Sequence, residues 1–191
     1  VEINPATLKI AETFFKYKKN NNNFFFEDAR TFVKKCKKKY DLIVVDLFFE
    51  DGAPEHLTTF EFYQNLKNCL NEKGIVVSNA IADFSNNLTI STILSTFNAV
   101  FKNIYYFYDD IHIKKSNLMV SNLYILASNQ SKFKQTNIKL ENVPKSMKDK
   151  VYRTLKNKNK FKDEKFNKEN IFFDENNTYS EIFSKSLETY R

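Results

Sequence analysis

Apolar positions in this 191-residue chain recur at helical spacing in some stretches and run together in others, and the two patterns alternate over roughly the first 129 residues. Val1-Glu2-Ile3-Asn4 reads as the end of a strand, after which Pro5 suits a first helical turn, because its missing N–H has no intrahelical partner there in any case. Leu8, Ile10, Ala11, Phe14 and Phe15 follow at helical spacing. Phe24-Phe25-Phe26 reads as a short strand, and Asp28 as the cap of a helix carrying Phe32, Val33 and Cys36. Tyr40-Asp41-Leu42-Ile43-Val44-Val45-Asp46 has consecutive apolar residues, as a parallel strand covered on both faces requires. After a loop with Gly52 and Pro54, Thr58-Thr59 and Glu61 form a capping segment for a helix through Leu70. Gly74-Ile75-Val76-Val77-Ser78-Asn79 reads as another buried strand. A helix over 86–101 then leads to strands near 103–108 and 117–128.

This βα alternation predicts an α/β fold: a parallel sheet with helices on both faces, closing in antiparallel edge strands. From residue 130 the pattern changes to Asn, Lys, Asp and Glu, with helical patches near 144–156 and 178–190. The expected division is a body over 1–129 and a Lys/Asn-rich, partly helical extension over 130–191.

Charge follows the same boundary. The whole chain carries +7, of which residues 1–129 hold +1 (15 basic, 14 acidic) and residues 130–191 hold +6 (15 basic, 9 acidic). The body is therefore nearly neutral, and the tail's composition suits solubility as well as nucleic-acid binding. Two cysteines and two histidines exclude a disulfide framework and a Cys/His metal module. No apolar run is long enough to span a membrane, and with no signal peptide the expected location is cytoplasmic.

Ligands of open parallel sheets bind beyond the carboxyl ends of the strands. Glu2, Asp28 and Asp46 fall at such ends in successive βα units. A carboxylate at Glu2 can accept both hydroxyls of a ribose. Asp28 can accept an amino proton from adenine. Asp46 ends the strand that reads as most buried, where desolvation would raise its basicity. Taken singly, Glu2 is equally a solvated strand end and Asp28 a helix cap.

Several segments in this order resemble the spermidine synthases, the polyamine aminopropyltransferases: Val-Glu-Ile-Asn-Pro at 1–5, Glu-Asp-Ala-Arg at 27–30, Tyr-Asp-Leu-Ile-Val-Val-Asp at 40–46, Gly52 to Leu57, Thr59-x-Glu61-Phe62-Tyr63 and Gly74-Ile75-Val76-Val77. The resemblance covers about residues 1–129. It implies the Rossmann-like fold of class I S-adenosylmethionine-dependent methyltransferases. It also implies that Glu2 binds the ribose of decarboxylated S-adenosylmethionine or methylthioadenosine, that Asp28 and the Ala29 backbone hold the adenine, and that Asp46 accepts a proton from the attacking amine. Asn79 would line the acceptor channel. Phe49 stands where the family has a second Asp, and Glu50 and Asp51 follow as its substitutes in acceptor binding. Ser116-Asn117 and Ser121-Asn122 stand in place of a Tyr-Pro-Ser-Gly-like segment. The family's glycine-rich cofactor loop and a catalytic Tyr would precede Val1, so the first βα unit is expected to be missing.

The leading expectation is thus aminopropyl transfer from decarboxylated S-adenosylmethionine to a polyamine such as putrescine, without a metal. S-adenosylmethionine-dependent methyl transfer on the same fold is the alternative, and it makes lighter demands on a second carboxylate. A non-catalytic protein binding through its basic tail is the third reading. The expected partner is a small amine, the oligomer to test is a homodimer, and neither membrane nor nucleic acid is expected. His56 reads as structural, His112 has no assigned role, and Asp109 and Asp110 read as a polar strand end. The lysines over 34–39 read as a solvated helix end near its negative pole.

Overall fold

The computed structural model describes residues 1–18, 24–48, 52–84, 87–108, 120–130, 141, 143–156, 159–160 and 170–188. In chain order the elements are α1 (Ala6–Phe15), α2 (Ala29–Lys34), β1 (Tyr40–Val45), a 3-10 turn (Glu55–Leu57), α3 (Phe60–Asn68), β2 (Leu70–Asp83), α4 (Asn87–Val100), β3 (Asn103–Phe107), β4 (Val120–Ser128), α5 (Lys145–Lys156), β5 (Asn159–Lys160) and α6 (Tyr179–Glu188). The helix starts follow local chemistry. Pro5 precedes α1 with φ −65°, Asp28 accepts from the Thr31 N–H at 2.9 Å, and Thr59 accepts from the Phe62 N–H at 3.2 Å. Each satisfies, or dispenses with, an amide that the helix itself cannot pair.

The strands form one open mixed sheet in the order β1-β2-β4-β3-β5. Among the described residues only β1 and β2 run parallel; β4 is antiparallel to both β2 and β3, and β5 to β3. Register aligns Ile43, Val76, Ala127 and Ile104 in one cross-sheet row. The face carrying this row is packed: Val76, Leu123, Ile125 and Ala127 are fully buried. Against them lie the aromatics of α3 and α4, with Tyr63 and Phe97 ring centroids 4.0 Å apart. Burial of this apolar area is the dominant stabilising term.

Coverage of the sheet is unequal. On the opposite face Val77 and Leu126 are half-buried, and at the edge Leu42 and Val44 are 56% and 65% exposed. β1 was expected to be the most buried strand, but among the described residues nothing pairs with its outer edge; β2 and β4 hold that place instead. Two further expectations need correction. The 1–4 and 24–26 segments are not strands: they meet through one backbone bond, Glu2 N–H to Phe25 O at 2.9 Å, without the repeated ladder that makes a sheet. The helix expected through Leu70 stops at Asn68, because Leu70 already opens β2.

The C-terminal part is not wholly peripheral. Phe172 and Tyr179 are buried in the same core as α3 and α4. Phe60 N–H donates to Phe172 O at 2.7 Å, Phe172 N–H to Thr96 Oγ1 at 3.1 Å, and the Tyr179 hydroxyl to Ile81 O at 3.1 Å.

Candidate active site

Three loops leave the same end of the described body: the turn into α1, the turn into α2 and the segment after β1. Each begins with one of the carboxylates singled out in the sequence. Glu2, Asp28, Ala29 and Asp46 line a single cavity of about 410 Å³, together with Pro54 and His56. That volume falls in the range of small-molecule sites, roughly 300–1,000 Å³. A neighbouring cavity of about 450 Å³ runs along β1 between Phe25, Phe32 and Leu66. Its wall is mainly apolar, with Lys38 and Tyr40 among the lining residues and no carboxylate, so the first cavity is the one equipped for recognition by carboxylates.

The carboxylates differ in what holds them. Glu2 Oε1 accepts from the Asn4 N–H at 2.8 Å, an arrangement that orients the side chain and leaves Oε2 as an acceptor. Both oxygens of Asp28 are engaged: Oδ1 with the Thr31 N–H and Oδ2 with His56 Nε2 at 2.9 Å. Burial pushes the Asp28 carboxyl up, but the bonds from His56 and Thr31 outweigh it and hold the group below its ordinary value. The anionic, acceptor-only form is therefore favoured.

Asp46 lies just past the last residue of β1 and is exposed. The desolvation expected from the sequence is absent because β1 is an open edge. Its orientation comes from Asn79 on β2, whose Nδ2 donates to Asp46 Oδ1 at 3.1 Å. Asn79 Oδ1 is buried and has no hydrogen bond among the described residues, an orphan acceptor beside the carboxylate. Asn79 itself lines a smaller void with Ser78 and Tyr179 and reaches the main cavity through Asp46. Phe49, Glu50 and Asp51 lie outside the described residues, as do Asp109, Asp110, His112 and Ser116-Asn117.

Sequence reasoning gave His56 only a structural weight and left Arg30, Asp174 and Asn177 unassigned. Arg30 Nη1 donates to His56 O at 2.7 Å and to Thr59 Oγ1 at 3.2 Å. Its Nη2 pairs with Asp174. Arg30 was visible as the residue after Asp28-Ala29; Asp174 lies in the Lys/Asn-rich tail, where nothing local separates one acidic residue from another.

Residues 1–139 match the spermine/spermidine synthase domain. A polyamine aminopropyltransferase of Vibrio vulnificus is 33% identical over 111 residues, covering 56% of this chain and 36% of that protein. The chain thus spans little more than a third of that relative's length. In fold it is similar to a probable spermidine synthase from Corynebacterium glutamicum (TM-score 0.60, 19% identity, 71% of this chain and 48% of that one). It is also similar to human methyltransferase-like protein 13, solved in complex with SAH (TM-score 0.59, 17% identity, 85% and 72%). The carboxylate-lined cavity sits within the matched segment, and the chain belongs to the spermine/spermidine synthase domain family.

Proposed function

We propose that this protein transfers an aminopropyl group from decarboxylated S-adenosylmethionine to a small polyamine such as putrescine. The observation that carries the reading is the grouping of Glu2, Asp28 and Asp46 on one cavity inside the family-matched segment. The residues suit an adenosyl sulfonium. Glu2 offers a carboxylate oxygen to the ribose hydroxyls, and Asp28, held anionic, accepts from the adenine amino group, with the Ala29 backbone beside it. Three carboxylates also suit a cationic ligand that must give up its water.

When bound, the co-substrate supplies an electrophilic carbon and a neutral thioether leaving group. An amine attacks only with its lone pair free. As its nitrogen bonds to the transferred carbon, the carbon–sulfur bond breaks and its electron pair leaves with sulfur. The nitrogen then carries a surplus proton, which Asp46 accepts while Asn79 Nδ2 holds the carboxylate in place. Residues 1–129 form the catalytic body in this reading, and 130–191 an extension whose residues 172–179 pack back on it. The protein is then a cytoplasmic enzyme of small molecules, and a homodimer is its oligomeric hypothesis.

Calorimetry with methylthioadenosine, together with a putrescine transfer assay, tests the reading. Saturable binding is expected; no binding would overturn it. Methyl transfer is the second reading, favoured by Phe49 at the position of the second family carboxylate, and a preference for S-adenosylmethionine over its decarboxylated form would select it.

A further inference from the structure

The segment from Phe172 to Tyr179 lies outside the family-matched residues yet touches the candidate site's frame at several points. Asp174 pairs with Arg30, and the Asp174 N–H donates to Glu61 Oε2 at 3.0 Å. Asn177 Nδ2 donates to Thr58 Oγ1 at 2.8 Å and also to Glu55 O. These bonds bracket His56 on both sides along the chain. Behind them the segment is anchored by Phe172 against Phe60 and Thr96 and by Tyr179 on Ile81.

Arg30 links this segment to the cavity. Its side chain is only 11% exposed, so its charge requires a partner, and among the described residues Asp174 is the carboxylate bonded to it. A guanidinium presents its donors in a rigid planar fork. With one arm fixed on Asp174, the other is directed at His56 O and Thr59 Oγ1. The His56 backbone is thereby set, and its ring reaches Asp28 Oδ2 at 2.9 Å.

We infer that residues 172–179 are a positioning strap for the nucleoside end of the site: Asp174 fixes Arg30, Arg30 fixes the His56 backbone, and His56 fixes the Asp28 carboxylate that meets the nucleobase. The inference rests on the proposed function for the identity of the ligand, but not for the coupling itself. His56, Arg30 and Asp174 are positioning residues that act through Asp28. Base recognition in this protein thus depends on a segment outside the residues matched to the family domain.

Two measurements on the full chain test it. Nitrogen-15 NMR of the histidine side chains, with a His112→Gln variant for assignment, reads the His56 Nε2 environment without any ligand. Calorimetry with methylthioadenosine reads the site. Asp174→Asn is expected to shift the His56 Nε2 resonance and to weaken methylthioadenosine about five- to tenfold, the effect of one lost hydrogen bond. Asp174→Glu should recover part of both effects. Arg30→Lys, which keeps the charge but loses the fork, should act like Asp174→Asn and serves if that variant does not fold. An unmoved His56 resonance in a folded variant overturns the strap. A wild-type chain that does not bind methylthioadenosine overturns the nucleoside assignment, while the resonance still decides the coupling.

Discussion

Asn79 Nδ2 donates to Asp46 Oδ1 across 3.1 Å, joining the middle of β2 to the first residue after β1. The bond follows from the parallel register, in which Val45 lies opposite Ser78, so Asp46 and Asn79, the next residue along each chain, fall side by side where β1 ends. If Asp46 is the proton acceptor, Asp46→Asn should lower the transfer rate about 10²- to 10⁴-fold, the usual contribution of a general base, and leave methylthioadenosine affinity within about twofold of wild type. Asn79→Ala, which removes only the orienting bond, should cost about five- to tenfold in rate. Steady-state kinetics beside calorimetry separate the two; a large loss of nucleoside affinity in Asp46→Asn would remove Asp46 from the acceptor end.

The acid side of the stability curve should report Asp28 and Asp174. Burial raises both carboxyls, and it is outweighed at Asp28 by His56 and the Thr31 N–H and at Asp174 by Arg30 and Thr59. Both end below the ordinary value of 3.8. A carboxyl depressed on folding contributes stability above its unfolded pKa, and that contribution is lost as pH falls through the folded value. Wild-type stability should therefore hold down to about pH 4 and decline below it. An Asp28→Asn/Asp174→Asn double variant should start less stable at pH 7 and lose less between pH 4 and pH 2. Urea unfolding at those pH values checks this; equal losses in both proteins would contradict it.

Gly74 is one of two glycines in the chain, and it sits inside β2 where the register with β1 shifts between Tyr40 and Leu42. A Cβ there would lie 2.9 Å from Tyr40 O and 3.0 Å from Asn71 O, closer than carbon and oxygen tolerate. Both atoms are backbone, so relief requires the strand pair to move. Gly74→Ala should destabilise the protein by about 1–3 kcal/mol, read as a lower urea midpoint at unchanged slope.

The two cysteines should differ in reactivity. Burial, and then the neighbouring Cys36 thiol, pushes the Cys69 thiol up to about 12, and Cys69 is buried while Cys36 is half-buried. The thiolate is the reacting species. Iodoacetamide at pH 8 should alkylate Cys36 first and reach Cys69 only on unfolding, as peptide mass spectrometry would show.

The sequence was most legible where a feature depends on neighbours in the chain. Asp28 and Thr59 cap helices that local patterns place within a residue or two, and the run 40–46 identifies its strand. Expected strand-end positions nominated Glu2, Asp28 and Asp46, which share one cavity, although only Asp46 follows a strand. What was misread depends on partners far away in sequence. Consecutive apolar residues in β1 suggested cover on both faces, yet such a run reports what a strand can bury, not what covers it, and Leu42 and Val44 stay exposed. The exposure of Asp46 follows from the same open edge. Asp174 and Tyr179 could not be told from their polar surroundings, because their roles exist only against Arg30 and Ile81.

The C-terminal segment should be part of the cooperative unit. Phe172 is 2% exposed and Tyr179 1%, and their rings meet edge to face at 5.8 Å in the cluster that holds Tyr63 and Phe97. Removing an aromatic side chain from such packing loses its transfer free energy and leaves a cavity, about 3–5 kcal/mol for Phe→Ala. Tyr179→Phe keeps the ring and loses the hydroxyl's bonds, the one to Ile81 O and the one from the Ala53 backbone, about 1–2 kcal/mol. If the segment folds with the body, Phe172→Ala should lower the urea midpoint of the whole protein, with tertiary and secondary probes moving together. A loss confined to the signal of residues 170–188, with the body unfolding at the wild-type midpoint, would instead make the segment a separately unfolding appendage.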